Sequence, residues 1–327
     1  MKDSGLVIAT DSQITAPAMV AADIAIEVPS IFHPEYLKNL KDIIYEYEIS
    51  AIIPLNDLEL PFLARNKVEL ESLGAKVIVS NKELINICSD KWETHSFLES
   101  IGVRTPKTYL KISDTLKGIS KGHINFPVIV KPRWGSGSFG IEEAGNEMEL
   151  QLVVELLRIR LKKSLLENLN LNNVDDAIII QEKLAGEEYG IDVLNDFKGR
   201  HICSFVKRKL AMRSGETDKA LTVKNEVFDN LGKQIAEHTN HFGTMDLDIF
   251  LSNGQPYILE LNPRFGGGYP FTHEAGGNIA GIYVDWLKGL DNISHHLKFK
   301  ADKMFSKYDL LVECKTKLEN SLNNLNL

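Results

Sequence analysis

Four short β-branched runs, LVIAT (6–10), IAIEV (24–28), AIIPL (51–55) and KVIVS (76–80), alternate with stretches of helical spacing over the first hundred residues. Segments 34–48, 59–73 and 81–101 carry apolar residues three and four apart, as in Tyr36, Leu37, Leu40, Ile43, Ile44 and Tyr47. Strand and helix in turn call for a parallel α/β sheet, because parallel neighbours need a long crossover and cannot be closed by a tight turn. Ligands of such sheets gather at the carboxyl ends of the strands. Asp11 follows the first run, and Asn56, Asp57 and Glu59 follow the third.

The texture changes at 103–127, a connector punctuated by Pro and Gly. Beyond it, VIVKPRWGSGSFG leads to an amphipathic helix at 147–166, a polar Asn-rich loop at 166–176 and a buried strand, AIIIQEKL, at 177–184. Residues 188–212 read as strands joined at FKGR, 223–242 as a helix, and 244–262 as a hairpin closed around SNGQ. The terminal LENSLNNLNL reads as a short surface helix. With 327 residues, 43% hydrophobic and 25% charged, the chain can build two or three domains.

No apolar run approaches a membrane span, and the apolar run of the N-terminus ends before Thr10, so neither a membrane anchor nor a signal peptide is expected. Cys88, Cys203 and Cys314 are far apart and include no CxxC, which fits a reduced, cytoplasmic setting. A net charge of −8 argues against general nucleic-acid binding.

In ILELNPRFGGG (258–268), Glu260, Asn262 and Arg264 share one strand face while Leu259 and Leu261 share the other. The polar face is open to two readings. One is a solvated surface with a Glu260–Arg264 ion pair. The other is an oxygen-ligand site for a hard cation such as Mg²⁺, with a guanidinium beside it for phosphate. Gly135, Gly137 and Gly140 spell GxGxxG, yet a dinucleotide fingerprint must open a helix, and here a strand resumes at Phe139 and Ile141. Strand, glycine loop and strand describe a flap whose N–H groups cover phosphate. Lys131 stands at the end of the apolar run that enters this flap, where a buried ammonium needs an anionic partner.

VIVKP, the glycine flap, QEKLAGEEYGIDV and LELNPR stand in this order between residues 128 and 264, and together they resemble the ATP-grasp superfamily, in particular its carbamoyl-phosphate-synthase-like branch with a single unit. The resemblance implies an N-terminal parallel-sheet domain (1–88), a two-lobed α+β ATP-grasp domain (89–300, small flap-bearing lobe about 105–182) and a tail (301–327). It implies that Lys91 and Lys131 reach the phosphates of ATP, Lys131 near the α-phosphate and adenine. The flap would contribute Gly135, Ser136, Gly137, Ser138 and Gly140. Glu182 and Leu184, flanked by Gln181 and Lys183, would form the adenine hinge. Glu188, or Glu187 one residue earlier, would accept from the ribose. Asp248, with Asp246 as the competing assignment, would join Glu260 and Asn262 in holding Mg²⁺. Two ions are expected, with Mn²⁺ as a substitute. Arg264 would contact the transferred phosphoryl group. Arg208 and Arg213, and less so Lys219, in KRKLAMRSGETDK would meet substrate carboxylate or phosphate. The glycine-rich corner 265–278 offers backbone to a substrate, while His273 reads as an ordinary hydrogen-bonded histidine.

The implied activity is an ATP-dependent carboxylate–amine (or carboxylate–thiol) ligase acting through an acyl phosphate. A carbamoyl-phosphate-synthase-type subunit needing a partner chain and a non-catalytic nucleotide-binding subunit are the alternatives. LVIATDSQ resembles the second strand of the family's front domain, so that domain is expected to be short at its N-terminus, with a homodimer or a partner subunit completing it. The expected substrates are a small carboxylate and an amine.

Overall fold

The structure, a computed structural model, describes residues 5–135, 137, 139–162 and 174–314. Ser136, Ser138, most of the Asn-rich loop and the terminal LENSLNNLNL lie outside the described residues. The chain divides into two compact units, one made of the described residues of 1–52, 68–76 and 307–327, the other of 53–67 and 77–306.

In the first unit, β1 (Ile8–Asp11), α1 (Pro17–Ala21), β2 (Ile24–Glu27) and α2 (Tyr36–Tyr47) follow the expected alternation. β1 and β2 pair in parallel, Ile8 opposite Ile24 and Asp11 opposite Glu27. α2 buries Tyr36, Leu40 and Ile44, one face at a spacing of four, and stops at Glu48 in the left-handed region. β3 (Ala51–Ile52), α3 (Leu60–Glu71, its residues 60–67 counted with the second unit) and β4 (Lys76–Val77, ending at the boundary) complete the alternation along the chain, with the Lys76 N–H donating to Ser50 O at 2.9 Å. The four strands are shorter than the apolar runs and stand as two pairs, not one continuous sheet.

After residues 53–67, the second unit continues with α4 (Lys82–Ser89) and α5 (Lys91–Ser100), where sequence spacing pointed to one helix. Asp90 divides them, because its extended backbone ends α4 while its carboxylate accepts from the N–H groups of Trp92 and Glu93 and caps α5. The connector holds β5 (Thr108–Tyr109) and α6 (Ile112–Ser120). β6 (Val128–Pro132) and β7 (Glu142–Ala144) pair antiparallel across the glycine loop, and α7 (Glu147–Lys162) and β8 (Ile178–Glu182) follow. The strands lie in the order β5-β8-β6-β7. α7 presses Leu150, Val154, Leu157 and Leu161 onto Val128, Val130, Ile178 and Ile180, a helical stripe meeting a sheet face.

The remaining elements are β9 (Glu187–Asn195), β10 (His201–Arg213), β11 (Glu216–Val223), α8 (Glu226–Thr239), β12 (Thr244–Ser252), β13 (Gln255–Asn262), α9 (Tyr269–Glu274), α10 (Ile279–Leu287) and β14 (Met304–Ser306). They include a six-stranded antiparallel sheet, β13-β12-β9-β10-β11-β14. One face supplies Tyr189, Ile191, Val193, Met245, Leu247, Ile249, Ile258 and Leu261 to a core closed by Phe228, Leu231 and Ile235 of α8 and by Leu84 and Leu98. Here the structure corrects the pattern read for ILELN. A bulge opposite Asp248–Ile249 leaves Leu259 without a cross-strand partner, so Ile258, not Leu259, joins Leu261 in the core. Among the described residues no helix is long and apolar enough to cross a membrane.

Candidate active site

Because strand side chains alternate, the face opposite this core collects every second residue of four adjacent strands. β9 contributes Glu188, Gly190 and Asp192; β10 contributes Lys207 and Lys209; β12 contributes Asp246 and Asp248; β13 contributes Glu260 and Asn262. Cross-strand register sets Asp248 beside Glu260 and Asp246 beside Asn262 on one side, and Asp246 beside Asp192 on the other. The hairpin expected at 244–262 therefore brings the three predicted metal ligands together as neighbours.

Two lysines reach the same carboxylate from the four-stranded side. Lys91 Nζ lies 3.6 Å and Lys131 Nζ 3.8 Å from Oε1 of Glu260. Lys91 is placed by the Asp90 cap: it opens α5, its N–H donates to Arg133 O at 3.0 Å, and its ammonium donates to the carbonyl of Gly135 in the flap. Lys131 is only 5% exposed. Burial lowers its pKa from the ordinary amine value, against the pull of Glu260, and Lys91 lowers it further. At 3.8 Å, Glu260 is beyond hydrogen-bonding reach of this buried ammonium, so an anion with closer oxygens would improve its pairing.

On the other side of the metal-ligand group stands a residue the sequence reading passed over. Lys209 donates to Asp248 Oδ1 at 2.5 Å and to Glu188 Oε1 at 2.7 Å. Burial opposes its charge, but Asp248 and Glu188 hold its pKa above the ordinary value. Lys207, 1% exposed, donates to Asp192 Oδ2 at 2.7 Å, and the Thr272 hydroxyl donates to the same oxygen. Gly190 makes room for both lysines: a Cβ there would lie 3.2 Å from Lys207 Cε and 3.6 Å from Lys209 Cε.

Arg208 does not join this group. One residue out of phase with its neighbours, it points to the core side of the sheet and pairs with Glu187 at 2.6 Å, where the Tyr189 hydroxyl also donates. The same parity places Glu187 away from the polar face and Glu188 on it. Arg213 sits at the end of β10, half exposed, and pairs with Asp218 at 3.0 Å. The pattern that could have separated these residues is the two-residue strand period, which selects Lys207 and Lys209 together and excludes Arg208.

Arg264 lies just past β13. Its Nε and Nη2 donate to the two carboxylate oxygens of Asp57 at 2.8 and 2.7 Å, and Asp246 Oδ2 lies 3.7 Å from Nη1. No Glu260–Arg264 ion pair forms; Asp57, from the carboxyl end of the third apolar run, takes the fork. Burial, then the Asp248 charge, raises the Asp246 carboxyl to about 7. The glycine run serves close packing: a Cβ on Gly266 would fall 2.3 Å from Asp246 Cγ, and one on Gly268 would fall 2.5 Å from Lys207 Cε.

The remaining predicted contacts lie where β8 hands over to β9. Gln181 is buried and donates to the Thr108 hydroxyl at 2.9 Å. Glu182 exchanges backbone and side-chain hydrogen bonds with Lys107. Lys183 pairs with Glu143 of β7 at 2.6 Å. Leu184 is half-buried in the link that follows. In the flap, Gly135 and Gly140 have φ of +108° and +67°, and a Cβ on Gly140 would lie 2.8 Å from Leu157, so both backbone conformation and packing call for glycine there. The loop runs into β7 and not into a helix, as expected for a flap.

Asp248, Glu260 and Asn262 form an all-oxygen donor set, which suits Mg²⁺. The buried Lys131 and the flap N–H groups suit phosphate. A four-stranded lobe with a glycine flap, facing a six-stranded sheet that carries acidic ligands and lysines, is the architecture of a nucleotide-grasping enzyme class. The chain belongs to the ATP-grasp domain family, whose model matches residues 88–268; residues 1–78 match the PylC-like N-terminal domain. The carbamoyl phosphate synthase large chain of Campylobacter jejuni is 22% identical over 239 residues, 70% of this chain, and the chain spans 21% of that protein's length. The biotin carboxylase domain of the Hydrogenobacter thermophilus 2-oxoglutarate carboxylase, solved with MgADP and bicarbonate, superposes with a TM-score of 0.69 at 19% identity, covering 91% of this chain and 67% of that one. An L-amino acid ligase from Bacillus licheniformis gives 0.58 at 17% identity, over 82% and 64%.

Proposed function

We propose that this chain is a ligase that uses Mg-ATP to activate a small carboxylate as an acyl phosphate and passes the acyl group to an amine. The observation that carries this reading is the convergence of Lys91 and Lys131 on Glu260, itself the cross-strand partner of Asp248. Lys131 and Lys91 bind and orient the phosphate chain from the flap side. Asp248, Glu260 and Asn262 hold the cation, two ions being the fuller arrangement and Mn²⁺ an acceptable substitute; the metal supplies charge neutralisation at the phosphate oxygens. Glu188, on the polar face, would accept from the ribose, and Gln181 to Leu184 would form the adenine hinge. Arg264, oriented by Asp57 and by its Nη1 donation to Phe265 O at 3.1 Å, would present its unengaged N–H groups to the phosphoryl group. Catalysis on this plan is positioning and electrostatics, with the flap excluding water from the acyl phosphate.

The relatives support this reading by name: a carbamoyl phosphate synthase, a biotin carboxylase domain solved with MgADP and bicarbonate, and an L-amino acid ligase. A small carboxylate and an amine are therefore the substrates proposed here, in the cytoplasm, with a homodimer or a partner subunit as the assembly. The test is ADP release across a matrix of amino acids and small carboxylates with paired amines. A productive pair should give stoichiometric ADP, phosphate and coupled product, and Glu260→Gln should reduce ADP release at least about 100-fold. Full ADP release by Glu260→Gln with the true pair would refute the metal assignment. A pair that turns over only after a second chain is added would favour the carbamoyl-phosphate-synthase-type alternative.

A further inference from the structure

α10, which packs Ile279, Ile282 and Tyr283 on Leu194 and Phe205, and the 3₁₀ turn Ser294–His296 bring together Asp285, His295 and His296. Their ligand atoms all lie within 4.8 Å of one another. Nε2 of His296 is 3.0 Å and Nε2 of His295 is 3.3 Å from one and the same oxygen, Asp285 Oδ2. In a tetrahedral site with bonds of about 2.0–2.1 Å, neighbouring donor atoms stand about 3.3 Å apart. Two edges of such a site are therefore in place before any ion arrives. Two imidazole nitrogens and one carboxylate oxygen suit Zn²⁺ and its first-row neighbours, whereas Mg²⁺ takes oxygens.

Asn278 sets the protonation pattern. Its Oδ1 caps α10 by accepting from the Gly281 N–H at 2.9 Å, so its amide nitrogen faces His296 Nδ1 at 3.0 Å. In the metal-free chain His296 thus carries its proton on Nε2 and donates it to Asp285. A metal on Nε2 would move that proton to Nδ1, where it would meet the Asn278 donor. A carboxylate at 278 would accept the proton and still cap the helix.

We propose that Asp285, His295 and His296 form a zinc site, with an open position for water, that clamps the segment after α10. That segment is already joined by backbone hydrogen bonds to the glycine-rich corner: Asn278 N–H to His296 O at 3.0 Å, Lys298 N–H to Gly276 O at 3.0 Å, and Lys300 N–H to Ala275 O at 2.8 Å. The ion would lock the packing behind the corner and take no part in chemistry at the sheet. The site stands on its own donor set, independently of the ligase reading.

The experiment uses the full chain stripped of metal, titrated with Zn²⁺ against a chromophoric chelator and with Co²⁺ followed by its visible ligand-field bands, both in excess Mg²⁺. One ion per chain is expected. His295→Ala changes an exposed side chain, so its fold is retained and its zinc affinity should fall tenfold or more. Asn278→Asp should tighten binding about tenfold, the scale of an outer-shell partner. No saturable binding, or binding that either variant leaves unchanged, overturns the proposal.

Discussion

Lys209 holds Asp248, its ammonium 2.5 Å from Oδ1 on the strand two places away and 2.7 Å from Glu188 on the neighbouring strand. The ammonium stands where a cation would compete for the same oxygen, so the ligand-free sheet carries its own counter-charge. Lys209→Met should cost about 2 kcal/mol in metal-free buffer, because two partly buried carboxylates lose their donor. The deficit should shrink when Mg²⁺ is added. Thermal melts with and without Mg²⁺ check this, and an equal deficit in both buffers would contradict it.

The Arg264–Asp57 pair is bidentate and largely buried, the geometry in which a guanidinium is not replaceable by an ammonium. A double-mutant cycle with Arg264→Gln and Asp57→Asn should show a coupling of about 2 kcal/mol in denaturant unfolding. Simple additivity of the two single variants would show that the pair contributes no coupling.

Within the run Gly266-Gly267-Gly268 the structure separates neighbours. Gly266→Ala would drive a Cβ to 2.3 Å from the Asp246 carboxylate carbon, whereas at Gly267 the nearest atom, in Glu216, is 3.5 Å away. Gly266→Ala should lose about 2 kcal/mol or more, and Gly267→Ala less than about 1 kcal/mol. Equal losses would argue against the close packing of Gly266 on Asp246.

His241 is fully buried and its Nε2–H donates to Val193 O at 3.1 Å, while Nδ1 faces the Thr239 hydroxyl at 2.8 Å. Burial holds its pKa down at about 4, against 6.5 for a free imidazole. The unfolded chain therefore binds a proton that the folded chain refuses between these values, and stability is fully present above pH 6.5 and falls as the pH drops toward 4. The loss should reach about 3 kcal/mol. Urea unfolding from pH 7 to 4 measures it, and His241→Asn should flatten this contribution. An unchanged slope in that variant would assign the pH dependence to other groups.

The fold was largely legible because its evidence is local. Alternating runs, the helix face Tyr36–Leu40–Ile44 and the turn at SNGQ are short-range patterns, and each element appears within a few residues of its expected place. The departures also have local causes. Asp90 ended one helix and capped the next, and the bulge at Leu259 exchanged one core residue for its neighbour. Of the expected site residues, Lys91, Lys131, Asp248, Glu260 and Asn262 converge, because the motifs that carry them lie at strand ends and helix starts whose direction the pattern defines. Lys209 and Lys207 were passed over, and Asp57 was named only for its place at a strand end, not as the partner of Arg264. Their roles depend on which partner strand lies alongside, and a single strand's sequence does not state that.

The amino-acid order on its own determined the element types, the glycine flap, and the alternation that puts Glu260 and Asn262 on one side of a strand. Only the tertiary structure decided that Arg264 would grip Asp57 instead of Glu260, that Arg208 would face away while Lys209 faced in, and that Glu188, not Glu187, would reach the polar face. The physical reason is range. Periodicity and capping act over a few residues, whereas the pairing of charges is settled by strand register and by contacts between residues as far apart in the chain as Asp57 and Arg264.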